Sequence, residues 1–153
     1  MKILLPVDGS GFSDAAVQEV AQRPWPSGTE VEVLSVAQTL PEYPDTQLMG
    51  HSVRLESLKR ETKRAQENVD DAVGELTHST AGLTVTTKVV EGVVKDEILH
   101  EAANWGADLI VMGSHGYNAA MRLLLGSVSQ AVSLHALCSV EIVRVRPKDA
   151  PKS

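Results

Sequence analysis

The chain has 153 residues, 42% hydrophobic and 22% charged, which suits one globular domain with a real core and is short for two. With 14 Lys and Arg against 20 Asp and Glu the formal charge is −6, and aromatics make up only 3%, so neither a basic patch nor base stacking points to nucleic acid as a partner. The lone Cys138 excludes an internal disulfide and the apolar run Ile3 to Val7 is too short for a signal peptide or membrane span, so a cytoplasmic protein with no membrane partner is expected.

Ile3 to Val7 reads as a buried strand, with Pro6 near its end where a missing N–H costs least. Asp8-Gly9-Ser10-Gly11 is a turn, and Ser13 is the expected N-cap of a helix carrying Ala16, Val17, Val20 and Ala21, stopped before Pro24. Trp25, between two prolines, is a loop anchor. Val31, Val33, Leu34 and Val36 mark a second strand, and residues 39–45, with Pro41 and Pro44, a loop.

The longest helix signal follows: Leu55, Leu58, Thr62, Ala65, Val69, Ala72 and Leu76 step by three and four. The charges between them, Arg54 to Glu67, have mixed signs and read as its solvated face. Leu83 to Val90 alternates as a strand. Val94, Ile98, Ala102 and Trp105 form a helical stripe with Trp105 in the core, closed by Gly106. Asp108 to Met112 is a fourth strand. Val128, Ala131, Val132 and His135 recur at helical spacing, and Val140 to Val145 is a fifth strand.

Strands alternating with helices predict a single three-layer α/β/α domain around a five-stranded parallel sheet, Rossmann-like, with right-handed crossovers. The first and fourth strands are continuous apolar runs and belong in the centre; the third and fifth read as edges. The expected order is 3-2-1-4-5, with the switch point between strands one and four, and ligands bind beyond the carboxyl ends of strands there. Asp8 and Gly113 occupy those two ends.

Gly113, Gly116 and Gly126-Ser127 give the spacing Gly-x2-Gly-x9-Gly-Ser. It is neither the dinucleotide Gly-x-Gly-x-x-Gly nor a P-loop, which ends in Gly-Lys-Ser/Thr. A strand, a glycine loop and a helix N-terminus together bind anions, because unpaired amides and the helix dipole converge there. Glycine allows close backbone approach or a positive φ. On this reading Gly113, Gly116, Gly126 and Ser127 line a phosphate chain, and the family resemblance given below adds the amides of Ser114 and His115. Arg122 either bonds the terminal phosphate or faces solvent.

Asp8 only accepts hydrogen bonds, so it suits a ribose hydroxyl, an adenine amino group or a metal-bound water, or else the turn beside Gly9. His115 reads as a spacer, since no carboxylate partner is evident. The five histidines share no ligand spacing, so no metal site is expected, and Cys138 reads as packing. No catalytic residue is assigned.

Lys2-Ile3-Leu4-Leu5-Pro6-Val7-Asp8-Gly9-Ser10, the glycine spacing and Leu124-Leu125-Gly126-Ser127-Val128-Ser129 together resemble the nucleotide-binding branch of the universal stress protein family. The resemblance spans residues 1–147 and leaves 148–153 as a flexible tail. It implies the fold shared with adenine nucleotide α-hydrolases. It places Pro6, Val7 and Asp8 beside the adenosine, the Val36 backbone against the adenine ring, and Met112 to Gly116, Val128 and Ser129 along the site.

It further implies an ATP-, ADP- or AMP-binding stress sensor or regulator, with or without Mg²⁺. At most it allows slow ATP hydrolysis or autophosphorylation. An α-hydrolase-type enzyme is an alternative, but its Ser-Gly-Gly-x-Asp-Ser loop is poorly matched by Asp8-Gly9-Ser10-Gly11-Phe12-Ser13. Another is a dimeric interaction module with a vestigial site, a homodimer paired through Val140 to Val145. Tyr117, Ser139 and Val94 depart from the family's usual residues.

Overall fold

A parallel strand covered by helices on both faces has no polar side to show, and Ile3–Leu5 and Ile110–Met112, all buried, take the middle of the sheet for that reason. In the computed structural model, which describes residues 1–39, 51–79, 82–116 and 125–145, β1 (Lys2–Pro6) lies beside β4 (Leu109–Gly113). β2 (Glu30–Gln38) and β3 (Thr84–Gly92) continue on one side and β5 (Ser139–Val143) on the other. The order is β3-β2-β1-β4-β5, every pair parallel, as the sequence predicts.

The period of two along β1 sorts its side chains between two cores. Ile3, Leu5 and Val7 face α1 (Gly11–Gln22) and α2 (His51–Ser79), meeting Val17, Val20, Val69 and Leu76. Leu4 faces the other way, with Leu34, Ile110 and Met112, onto Ile98 and Ala102 of α3 (Val94–Trp105) and Val132 of α4 (Ser127–His135). Helices thus cover both faces of the sheet, giving three layers.

Local chemistry moves several predicted boundaries. The N-cap of α1 is Ser10, not Ser13: the Ser10 hydroxyl accepts the Ser13 N–H at 3.2 Å, and Ser13 is already inside the helix. β3 runs on to Gly92, because its whole length pairs with β2 from Glu30↔Thr84 to Gln38↔Gly92. β5 stops at Val143, opposite Gly113 where β4 ends, so Arg144 and Val145 lie beyond it.

Trp105 is only half-buried at the end of α3, where the Lys2 ammonium lies 5.1 Å from the centre of its ring; it is a cation–π platform more than core. Trp25 does anchor its loop, its indole N–H donating to the Val20 carbonyl at 2.8 Å. Val94 opens α3, a first helical position that suits proline, and packs on the core below instead. Pro41 and Pro44 and the tail 148–153 fall outside the described residues. Among the described residues no helix is long and apolar enough to cross a membrane.

Candidate functional site

At the end of β1 the backbone is fully committed. The Val7 N–H donates to the Leu34 carbonyl at 2.8 Å, and the Val7 carbonyl accepts the Ser35 hydroxyl at 2.9 Å. Pro6 and Val7 are buried, so their part in a site is to fix the floor. Asp8 comes next, half-buried, and its Oδ1 accepts both the N–H of Ser10 at 3.0 Å and its hydroxyl at 2.6 Å. This is the turn weighed for Asp8 from sequence, and it uses only one of the two carboxylate oxygens. Asp8 Oδ2 faces the glycine loop: a Cβ added at Gly116 would lie 3.0 Å from it. The turn needs the left-handed backbone of Gly9, φ +73°.

At the end of β4 the three glycines serve close approach, and none of them has a positive φ. A Cβ on Gly113 would sit 2.5 Å from the Phe12 carbonyl oxygen, and one on Gly126 would sit 3.1 Å from the His115 Cα. The loop is therefore pressed against the start of α1 on one side and against itself on the other. Gly113 and Gly126 are buried.

Several groups expected to face a ligand are used inside the loop. The Ser114 N–H donates to the Val143 carbonyl at 2.9 Å and the Gly126 N–H to the Ser114 carbonyl at 2.8 Å. The Ser129 hydroxyl donates to the Gly113 carbonyl at 2.9 Å, with Ser129 only 2% exposed. Met112 and Val128 pack into the core beneath.

The mouth of α4 follows this loop directly. The first intrahelical bond runs from the Gln130 N–H to the Gly126 carbonyl, so the N–H groups of Ser127, Val128 and Ser129 precede the helical ladder. The N-cap is Gly126, which has no side chain to answer them. Ser127 is exposed and adds a hydroxyl. His115 also makes contacts of its own. Its Nδ1 lies 3.1 Å from the Ser114 hydroxyl and its ring is 5.1 Å from that of Phe12, pinning the loop to α1. Val36 is half-buried near the carboxyl end of β2, opposite Val90. Arg122, Tyr117 and Leu124 lie outside the described residues.

A cleft of about 280 Å³ opens beside the same strand end, between α1 and α2, lined by Val7, Gly9, Asp14, Asn68, Asp71 and Glu75. Burial, with the charges of Asp8 and Asp71 added, pushes the Asp14 carboxyl above its usual range. A cleft with this lining repels phosphate, whereas the α4 mouth attracts it. Among the described residues no group of three or more His, Cys, Asp or Glu is placed to hold a metal ion.

Sequence reasoning passed over Phe12, Ser10 and Asn68. Phe12 closes the site through both its carbonyl and its ring, Ser10 holds Asp8 and caps α1, and Asn68 of α2 backs Gly9. A visible signal existed for the first: the only phenylalanine of the chain stands in an otherwise polar turn.

The profile of the Universal stress protein family matches residues 1–144. A universal stress protein of Methanocaldococcus jannaschii is 33% identical over 147 residues, covering 96% of this chain and 83% of the relative. The solved UspA of Lactobacillus plantarum superposes with a TM-score of 0.79 at 29% identity, over 94% of this chain and 97% of that one. A universal stress protein of Arabidopsis thaliana solved with AMP bound has a TM-score of 0.66 at 19% identity, over 100% of this chain and 97% of that one, a likeness of fold.

Proposed function

The chain belongs to the universal stress protein family, and from that premise we propose that it binds an adenine nucleotide at the carboxyl ends of β1 and β4 and acts as a stress-response sensor or regulator. The observation that carries this reading is the cradle itself. Three amides that precede the helical ladder at the mouth of α4 stand beside a loop whose glycines let its backbone pack closely, with the Asp8 carboxylate across from Gly116. Amides and the positive end of a helix dipole suit phosphate, and a carboxylate acceptor suits ribose hydroxyls. The AMP held by the Arabidopsis relative, on the same fold, supports adenylate as the ligand class.

In this proposal Gly113, Gly116, Gly126 and Ser127 to Ser129 hold the phosphates. Pro6, Val7, Asp8 and Val36 flank the nucleoside, and the positive charge of Arg122 is assigned to the terminal phosphate. Mg²⁺ would accompany a triphosphate. The α-hydrolase alternative is weakened because the loop after β1 is already engaged: the Ser10 hydroxyl caps α1 and bonds Asp8.

Replacing Ser127 with aspartate separates binding from folding. A carboxylate in the first turn favours the helix yet repels phosphate from the same amides. Calorimetry with ATP and with AMP, each with and without Mg²⁺, is expected to show binding by the parent and an affinity lowered about tenfold or more in Ser127→Asp, with an unchanged or higher Tm. Absence of heat with any adenylate, together with no nucleotide released on acid extraction of fresh protein, would end the proposal.

A homodimer is the second element of the reading. β5 is an edge strand, and Leu134 and Leu137 beside it are 71% and 93% exposed, apolar surface that a second copy pairing along β5 would cover.

A further inference from the structure

β2 is covered by helices on both faces, yet it carries a glutamate in its buried stretch. Glu32 stands in register between Leu4 of β1 and Thr86 of β3, on the face that carries α3. It is 8% exposed, and its Oε1 is buried with no hydrogen-bond partner among the described residues. A second carboxylate comes from α3: Glu101, also 8% exposed, is close enough to Glu32 to act on it both as a charge and as a hydrogen-bond partner.

The charged groups around Glu32 come from the two neighbouring strands and from the helix on its own face: Lys2 from β1, Lys88 from β3, and Glu101 from α3, with Glu97 of α3 acting on Lys88. The cations do not answer Glu32. The Lys88 ammonium lies 2.5 Å from Glu101 Oε2 and is partly in solvent, and the Lys2 ammonium donates to the Trp105 carbonyl at 3.2 Å. With both carboxyls ionised, the pocket would hold two negative charges against one close cation, one of them on a bare buried oxygen. Buried charge of that kind is not sustained without a partner or a proton.

We propose that Glu32 and Glu101 share one proton in the folded protein, so that an acid–carboxylate hydrogen bond docks α3 onto β2 and makes that docking proton-linked. Glu32 donates its O–H to Glu101, Lys88 neutralises what remains, and the unpartnered Glu32 oxygen is then a neutral carbonyl, far cheaper to bury than a carboxylate oxygen. Burial first, and the Glu101 charge second, hold the Glu32 carboxyl above its ordinary value of 4.5.

The folded state therefore binds this proton more tightly than the unfolded chain. The stabilisation is complete below the unfolded value and is lost as pH rises through the folded one. Lys88, pushed up by its bond to Glu101, adds a further loss on the alkaline side, above 10.5. Glu32 sits toward the start of β2, near its Glu30 end and away from the carboxyl ends where the glycine loop lies, so the proton link is separate from nucleotide binding.

The test uses the native protein with its glutamates labelled at the side-chain carboxyl carbon. The expected NMR titration has one glutamate signal that changes well above the others, absent in Glu32→Gln and displaced in Glu101→Gln. Glu32→Gln, whose amide still donates to Glu101, is expected to flatten the decline of Tm that the parent shows as pH rises above the ordinary glutamate value of 4.5, and to remove about one proton from the uptake on refolding in that range. Adenylate affinity in Glu32→Gln is expected to match the parent. The proposal is overturned if every glutamate of the native protein titrates in the ordinary range. A Glu32→Gln variant that keeps the parental pH slope overturns it equally, and the native spectrum decides alone should neither variant fold.

Discussion

Single positions in this chain do opposite things with the same residue type. Gly113 leaves no room for a methyl group: the nearest atom to an added Cβ is a backbone carbonyl oxygen, Phe12 O at 2.5 Å, and backbone does not swing aside as a side chain does. Gly74, inside α2, has nothing within 4 Å. Gly113→Ala is expected to destabilise by about 1–3 kcal/mol through overpacking, while Gly74→Ala is expected to stabilise by roughly 0.5–1 kcal/mol by restricting the unfolded chain. Urea denaturation of both variants checks the pair; equal signs would contradict the described packing. The site glycines were readable as glycines with a purpose. Which purpose was not, since close approach depends on Phe12 and His115, residues brought there by the fold.

Among elements, the contact between α1 and β5 shows what spacing alone conceals. Arg23, the C-cap of α1, holds both carboxylate oxygens of Glu141 on β5 at 2.8 and 2.6 Å and stacks on Trp25. The residues are 118 positions apart. The Arg23 guanidinium pulls the Glu141 carboxyl below its ordinary 4.5, so the pair stabilises fully above that pH and is lost as pH falls through the lower folded value. Both side chains are about one-third exposed, which limits the contribution. Glu141→Gln is expected to cost about 1 kcal/mol at neutral pH, a difference that shrinks as the pH drops below 4.5, read by thermal unfolding across that range. A penalty that persisted unchanged in acid would mean the contact is packing and not charge.

For the molecule as a whole, the sheet has two edges, and they are treated differently. β3 keeps charged and polar residues such as Thr84, Thr86, Thr87 and Glu91 exposed along its length. At the β5 edge, Leu137 stands 93% exposed just before the strand. If a second copy covers that side, sedimentation equilibrium is expected to find a dimer in the parent and monomer in Leu137→Glu, with nucleotide binding retained because the α4 mouth lies on its own chain. A monomeric parent at the same concentrations would remove the dimer from the proposed function and leave the nucleotide site standing.

The order of the strands, the two layers of helix and the glycine spacing follow from local pattern: apolar runs without polar breaks belong in the centre, helical stripes belong on the faces, and a loop rich in glycine marks a place of close approach. These are properties of neighbouring residues and need no long-range contact to be read. The partners of Ser10, Ser114, Ser129 and Arg23, the inward turn of Glu32, and the difference between an amide that holds the loop and one that precedes the helical ladder belong to the tertiary structure alone. A hydrogen bond or ion pair is decided by which chain segments arrive within about 3 Å of each other, and for residues such as Glu32 and Glu101, or Arg23 and Glu141, nothing along the chain encodes that arrival until the sheet has closed.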